Sequence, residues 1–294
     1  MAAEVKWDGP IVDNHFHLNR NGLFLQAAGE FKRVGGTDLI LVHCPDFSSP
    51  PTTRNGHLTT YQDTVRMAEE VRKEHNLGVR VVLGPHPAAF AHQFEAWLQE
   101  DGEHGAERAM ENYRDSIDAA LELVHEGKAH AIGEVGRPHW PVSDRVWGLS
   151  NQLLEETMNL ARKEGVTLQL HVEGELESTY GDLAAMAERV GLDKQRLVRH
   201  YAPPTVSGDV TQGLTPSVLI GKGAIEEVLA TAESSTHGFL LETDYMDDVR
   251  RPGAVLGPKT VPKRTQQLLD GGLDEAFLWK AHQDLPDFLY GPSE

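Results

Sequence analysis

Residues 10–17 read PIVDNHFH. Ile11 and Val12 open a short extended run, and two histidines, His15 and His17, close it. On a strand, positions i and i+2 point to the same side, so both imidazoles enter one space and can hold one ion. Asp13 shares that side and is placed to orient a ring by accepting its free N–H. Seven further runs of this kind follow: 38–43 (DLILVH), 78–86 (GVRVVLGPH), 129–136 (AHAIGEVG), 166–173 (VTLQLHVE), 196–202 (RLVRHYA), 217–221 (SVLIG) and 238–244 (GFLLETD). Between most of them, 61–75, 108–126, 146–164, 181–190 and 222–233 carry apolar residues at helical spacing. Strand and helix alternating eight times is the arithmetic of a closed (β/α)8 TIM barrel, whose usual size is about 250 residues. The 294 residues fit it as a single domain, 1–294. A doubly wound open sheet shares the alternation, but no glycine-rich phosphate fingerprint follows the first strand. Segments 203–216 (PPTVSGDVTQGLTP) and 245–264 depart from the alternation and read as loops.

The chemistry-bearing residues gather at the C-terminal ends of these runs: His15, His17, His86, Glu134, His171, His200 and Asp244. In a barrel those ends converge on one mouth, where active sites sit. Four imidazoles and two carboxylates (His15, His17, His171, His200, Glu134 and Asp244) exceed what one tetrahedral ion takes, about four ligands. They divide into two sites. His15, His17 and Asp244 come from strands one and eight, neighbours once a barrel closes. His171 and His200 come from strands five and six, and Glu134 on strand four is placed to bridge. Two cations about 3.5–4 Å apart, sharing a carboxylate and a water, form a hydrolytic device. Imidazole-rich ligation suits Zn²⁺, and the carboxylates leave Mn²⁺ and Mg²⁺ open.

Composition narrows the setting. The chain carries 45 acidic and 27 basic residues, net −18, and such a surface repels polyanions, which excludes a general nucleic-acid coat protein. No apolar run approaches the roughly 18 residues that cross a bilayer. The start, MAAEVKWDGP, has no apolar core of a secretory leader, and the lone Cys44 suits a reducing cytosol. A cytoplasmic protein is expected.

The set DNHFH, GPHP, GEVG, LQLH, RH and ETD, in this order over nearly the whole chain, resembles the TatD-like branch of the amidohydrolase superfamily, and most of all the archaeal TatD-related group. That resemblance implies a metal-dependent hydrolase on a (β/α)8 barrel, in a branch with members described as deoxyribonucleases. By it, His15, His17, Glu134, His171, His200 and Asp244 correspond to metal ligands, and a strand-four glutamate takes the place of the carbamylated lysine of other superfamily members. The chain departs from the pattern in three places. Ala88 stands where a second histidine follows His86-Pro87, no aspartate closely follows Gly133-Glu134, and His200-Tyr201-Ala202 replaces HCF. A polymerase-type histidinol phosphatase domain also begins with HxH, but its further motifs are absent.

Asp244 is expected to serve as ligand and as acceptor of the attacking water's proton, Glu134 as the bridge, and His86 as the alternative acceptor. From Arg250 to Arg264 the chain carries Arg250, Arg251, Lys259, Lys263 and Arg264 and no acid, which suits a clamp for phosphate oxygens. Arg137 and His139 extend it. The substrate so described is a small anion or phosphoester, DNA ends included; the alternatives are an amide, lactone or other ester, and a non-enzymatic metal-dependent binding protein. Glu173 and Glu242 read as groups that orient ligands, Cys44 as a buried free thiol, His43 as either a donor behind the ligands or a packed ring, and His57, His75, His92, His104, His125, His237 and His282 as surface or packing residues.

Overall fold

The computed structural model describes residues 6–175 and 177–293; Met1 to Val5, where part of the leader reading falls, lie outside them with Leu176 and Glu294. Each of the eight extended runs forms a strand: β1 (Val12–Phe16), β2 (Asp38–Val42), β3 (Gly78–Leu83), β4 (Ala131–Gly136), β5 (Thr167–His171), β6 (Leu197–Ala202), β7 (Thr215–Leu219) and β8 (Leu240–Glu242). All pair in parallel in chain order, and helices fill the crossovers, so the fold is the (β/α)8 TIM barrel that the alternation predicts. The helices are α1 (Leu25–Arg33), α2 (Arg54–His75), α3 (Pro87–His125), α4 (Asp144–Glu164), α5 (Glu177–Val190), α6 (Gly208–Thr211), α7 (Ile225–Thr231), α8 (Thr260–Asp270), α9 (Glu275–Trp279) and α10 (Leu285–Tyr290). α3 is two helices joined at a kink, where Gly102 takes a φ of 58° that a side chain would resist. The loop reading of 203–216 holds apart from the four residues of α6 and the start of β7, whereas 245–264 is loop only to Lys259, because α8 begins at Thr260.

The two-residue period of the strands sorts the core. On β2, Leu39 and Leu41 pack outward with Phe31, Tyr61 and Val65 of the helix layer, while Ile40 and Val42 turn inward. Inside they meet Val12, Val82, Ala131, Val198 and Leu240, together with Leu285, Leu289 and Tyr290 of α10. α10 therefore plugs the floor of the barrel. Thr167 Oγ1 donates to Leu289 O at 2.7 Å, and the buried Arg80 donates to Gly291 O at 2.8 Å and to Asp287.

The barrel is nearly closed. Among the described residues β1 and β8 share one backbone bridge, Phe16 with Tyr245, where His17 N donates to Tyr245 O at 2.9 Å. The Asp13 carboxylate accepts from Thr243 N at 2.9 Å and from its Oγ1 at 2.7 Å. Asp13 thus ties the seam and does not orient a ring; facing Thr243 across the junction, its oxygens are taken. Among the described residues no helix is long and apolar enough to cross a membrane.

Candidate metal centre

Three strand pairings shift register, each at a histidine or glutamate of the mouth: between Asp13 and Phe16 on β1, Ile132 and Val135 on β4, and Arg199 and Ala202 on β6. An extra residue in a strand bends it and re-aims the side chains there. His15, Glu134 and His200 lie inside the three shifts.

His15 Nε2 and His17 Nε2 come within 3.1 Å of each other. Behind them, His15 Nδ1 donates to Gln169 Oε1 at 2.8 Å and His17 Nδ1 to Val42 O at 3.0 Å. The Gln169 amide nitrogen donates to Asn14 O at 3.1 Å and to the Tyr290 hydroxyl at 2.8 Å, which leaves Oε1 as the acceptor. Both rings therefore carry their proton on Nδ1 and turn bare Nε2 lone pairs on one another. Such a pair repels unless a cation is shared between the two nitrogens.

The other donors close on the same point. Glu134 Oε1 stands 3.1 Å from His15 Nε2, 3.0 Å from His200 Nε2 and 3.4 Å from His171 Nδ1. His171 Nδ1 and His200 Nε2 are 3.1 Å apart. Asp244 Oδ1 is buried without a hydrogen-bond partner, 3.6 Å from His17 Nε2 and 3.9 Å from His15 Nε2. Asp244 has a φ of 47°, a left-handed conformation that non-glycine residues adopt at functional sites when the surroundings hold them there. An unsatisfied buried carboxylate oxygen beside two bare imidazole nitrogens is the donor set a divalent cation takes. His15, His17 and Asp244 form one such group, and His171, His200 and Glu134 lie against it.

A second layer holds these groups. Glu242 accepts from His200 Nδ1 at 3.2 Å, from Tyr201 N at 2.7 Å and from Ser217 Oγ, which in turn accepts from Asn14 Nδ2 at 2.9 Å. Burial raises the Glu242 carboxyl to about 8. His139 Nδ1 meets His171 Nε2 at 2.8 Å. His86 caps α3, its Nδ1 accepting from Ala88 N at 3.0 Å, so its single proton sits on Nε2, 3.4 Å from Glu134 Oε2. Burial pushes this ring down to about 3, and His86 meets the site as a neutral donor.

A family model described as TatD related DNase matches residues 12–291. The chain belongs to the TatD family. An uncharacterized protein of Methanocaldococcus jannaschii is 33% identical over 286 residues, covering 96% of this chain and 95% of that protein. Among solved structures, a TatD-like protein of Archaeoglobus fulgidus superposes with TM-score 0.58 at 16% identity, covering 95% of this chain and 99% of the other. A TatD homologue of Escherichia coli K12 gives 0.56 at 18% identity, covering 95% and 97%. An uncharacterized amidohydrolase of Saccharomyces cerevisiae gives 0.62 at 11%, covering 96% and 100%. TatD membership and the convergent donor set together make the chain a metal-dependent hydrolase.

The residues expected to bind substrate are dispersed around this TatD centre. Arg137 is buried, and its guanidinium is taken up by Glu173, Asp182 and Asn151. Glu173 accordingly anchors Arg137 and orients no ligand. Arg250 and Arg251 are exposed on the loop after β8, both paired with Asp248 at 3.1 and 3.0 Å. Lys259 reaches Glu30 at 3.3 Å, Arg264 donates to Gln267, and Lys263 is exposed on α8. Burial pushes the Cys44 thiol up to about 12, so it stays protonated. Sequence reasoning passed over Gln169, although a lone amide two residues before His171 in an apolar strand was its signal. Tyr290, reached only through α10, had none.

Proposed function

We propose that the chain hydrolyses phosphoester bonds with two divalent cations at the barrel mouth, His15, His17 and Asp244 holding one, His171 and His200 the other, and Glu134 both. The observation that carries this reading is Glu134 Oε1, within 3.0 to 3.4 Å of imidazoles from both groups. The imidazole majority favours Zn²⁺. Bound there, the cations would polarise the phosphoryl oxygen and lower the pKa of a water to about 7. Asp244, whose Oδ1 would be given to the cation, would take the proton of the attacking water through its other carboxylate oxygen. His86 Nε2–H, fixed by its cap on α3, donates to the substrate's oxygen. Arg250 and Arg251, exposed after β8, would exchange Asp248 for phosphate oxygens as the clamp. Small phosphoesters and DNA ends both satisfy this chemistry. A single thiol, half-buried and not fully buried as the sequence suggests, fits a reducing cytosol as its setting.

The test is a parallel assay of bis-p-nitrophenyl phosphate, a lactone panel and a DNA ladder with added Zn²⁺, Mn²⁺ or Mg²⁺, alongside elemental analysis. About two equivalents of metal and turnover of the phosphodiester are expected. Turnover of lactones alone would move the reading to carboxyl esters, and a folded protein that takes up no metal would remove it.

A further inference from the structure

Three residues past Asp244, the side chain of Asp247 is buried beneath the loop that follows β1. Its Oδ1 accepts from Leu23 N at 2.7 Å and from the Tyr245 hydroxyl at 3.2 Å. Its Oδ2 accepts from Asn19 N at 3.0 Å and from Phe24 N at 2.8 Å. Gly22 lies against the same carboxylate, where a Cβ would stand 2.3 Å from Asp247 Cγ and Oδ1. The loop from Asn19 to Phe24 is therefore wrapped around one carboxylate that comes from the far side of the β1–β8 junction.

All four partners of Asp247 are donors. A carboxylate accepts on both oxygens, whereas an amide has one accepting oxygen and one NH2. Whichever way an asparagine turned here, its NH2 would meet a backbone N–H, that of Leu23 on one side or those of Asn19 and Phe24 on the other. Five non-glycine residues among those described have a positive φ, and two of them stand at the ends of this tie: Phe24 at 46° and Asp244 at 47°. Such conformations persist where the surroundings over-determine them. At Phe24 they are determined by Asp247, which the amides of Leu23 and Phe24 both reach. Asn19 follows His17 by two residues, and Asp247 follows Asp244 by three. The carboxylate thus joins the two chain segments whose His17 Nε2 and Asp244 Oδ1 face each other at 3.6 Å.

We infer that Asp247 is a positioning residue: by holding the loop after His17 to the loop after Asp244, it fixes the spacing of the donors that take the first cation. The inference rests on the reading that His15, His17 and Asp244 hold that cation. Gly22 belongs to the same device, because its missing side chain is what lets the carboxylate reach the three amides.

Zn²⁺ affinity, read by competition with a calibrated chelator, tests it. Wild type should take up about two equivalents. Asp247→Asn should weaken one of them about 10- to 100-fold, the scale for groups that orient a ligand, and leave the other nearly unchanged. Gly22→Ala should do the same, and the double variant should lose no more than the worse single one, because both act on one contact. Arg20→Ala frees the same loop from Asp63 and Glu70 on α2 and should leave both affinities as they are. Unaltered affinity in Asp247→Asn and Gly22→Ala overturns the positioning role and leaves the metal reading intact. Equal weakening of both ions, the mark of a general loosening, does so too. Wild-type protein decides the question if neither variant folds: Zn²⁺ should slow exchange of the Leu23 and Phe24 amides more than that of the β2–β3 amides, and equal slowing overturns the role. A folded wild type that takes up no Zn²⁺ removes the metal reading and this inference together.

Discussion

Three imidazole nitrogens approach a single oxygen of Glu134, and a neutral amide cannot serve two cations as that carboxylate would. Glu134→Gln should bring the metal content from about two equivalents to one or fewer and reduce kcat by ~10² or more, by the usual scale of losing a metal-linked group. Elemental analysis beside steady-state kinetics reads both. Asp244→Asn is predicted to retain both ions, through the remaining histidines and Glu134, yet lower kcat by ~10² with a smaller change in KM, the pattern of a lost proton acceptor. A variant with both ions and full kcat would assign the proton to another group. The donors themselves were legible in the sequence because strand-end histidines and carboxylates have few other reasons to recur at one end of a barrel. What orients them was not. Gln169, Asn14 and Ser217 act through hydrogen bonds between strands far apart in the chain, and Asp13 turned to Thr243 for the same reason.

At the level of elements, all eight strands follow from β-branched runs, but the register shifts on β1, β4 and β6 leave no mark in a pattern of period two. α10 carries a consequence for the site. Its Tyr290 hydroxyl accepts from Gln169, and Gln169 accepts from His15, so the floor plug reaches His15, a ligand in the proposed site, through two hydrogen bonds of 2.8 Å. Tyr290→Phe should weaken metal binding about 10- to 100-fold, the cost usual for groups that orient a ligand. Competition with a calibrated chelator measures it. Leu289→Ala, in the same helix, should cost stability by roughly 2–5 kcal/mol and leave the affinity of the folded protein unchanged. The π-helical turn Lys280–Asp284, just before α10, supplies a pH response. His282 is buried, accepting from Val12 N at 3.1 Å and meeting Thr265 Oγ1 at 2.9 Å, and burial lowers it from 6.5 to about 4. Below pH 6.5 the unfolded chain takes up a proton that the folded chain refuses until about pH 4. Stability therefore falls across that window by about 3 kcal/mol on this account. His282→Asn should lower stability at pH 7 and flatten this part of the acid slope, read from urea midpoints between pH 7 and 4.

For the molecule as a whole, alternation and length were enough to predict the barrel, and the net charge of −18 describes a surface that draws cations toward the mouth. The weak point of the architecture is the junction of its first and last strands, with a single backbone bridge among the described residues where the other seven junctions have ladders. The residues proposed to hold one cation come from both sides of it, His15 and His17 from β1 and Asp244 from just past β8. A cation there would rivet the joint at which, among the described residues, the cylinder is least tied by its backbone. Amide hydrogen exchange should show it: stripped of metal, the His17 amide, bonded to Tyr245 O, should trade its proton with solvent far sooner than the β2–β3 amides, and reloading should slow it more than any amide remote from the joint. The first event of unfolding would then be an unrolling that starts at the active site, and the resting enzyme would owe its shape as well as its chemistry to the ions it carries.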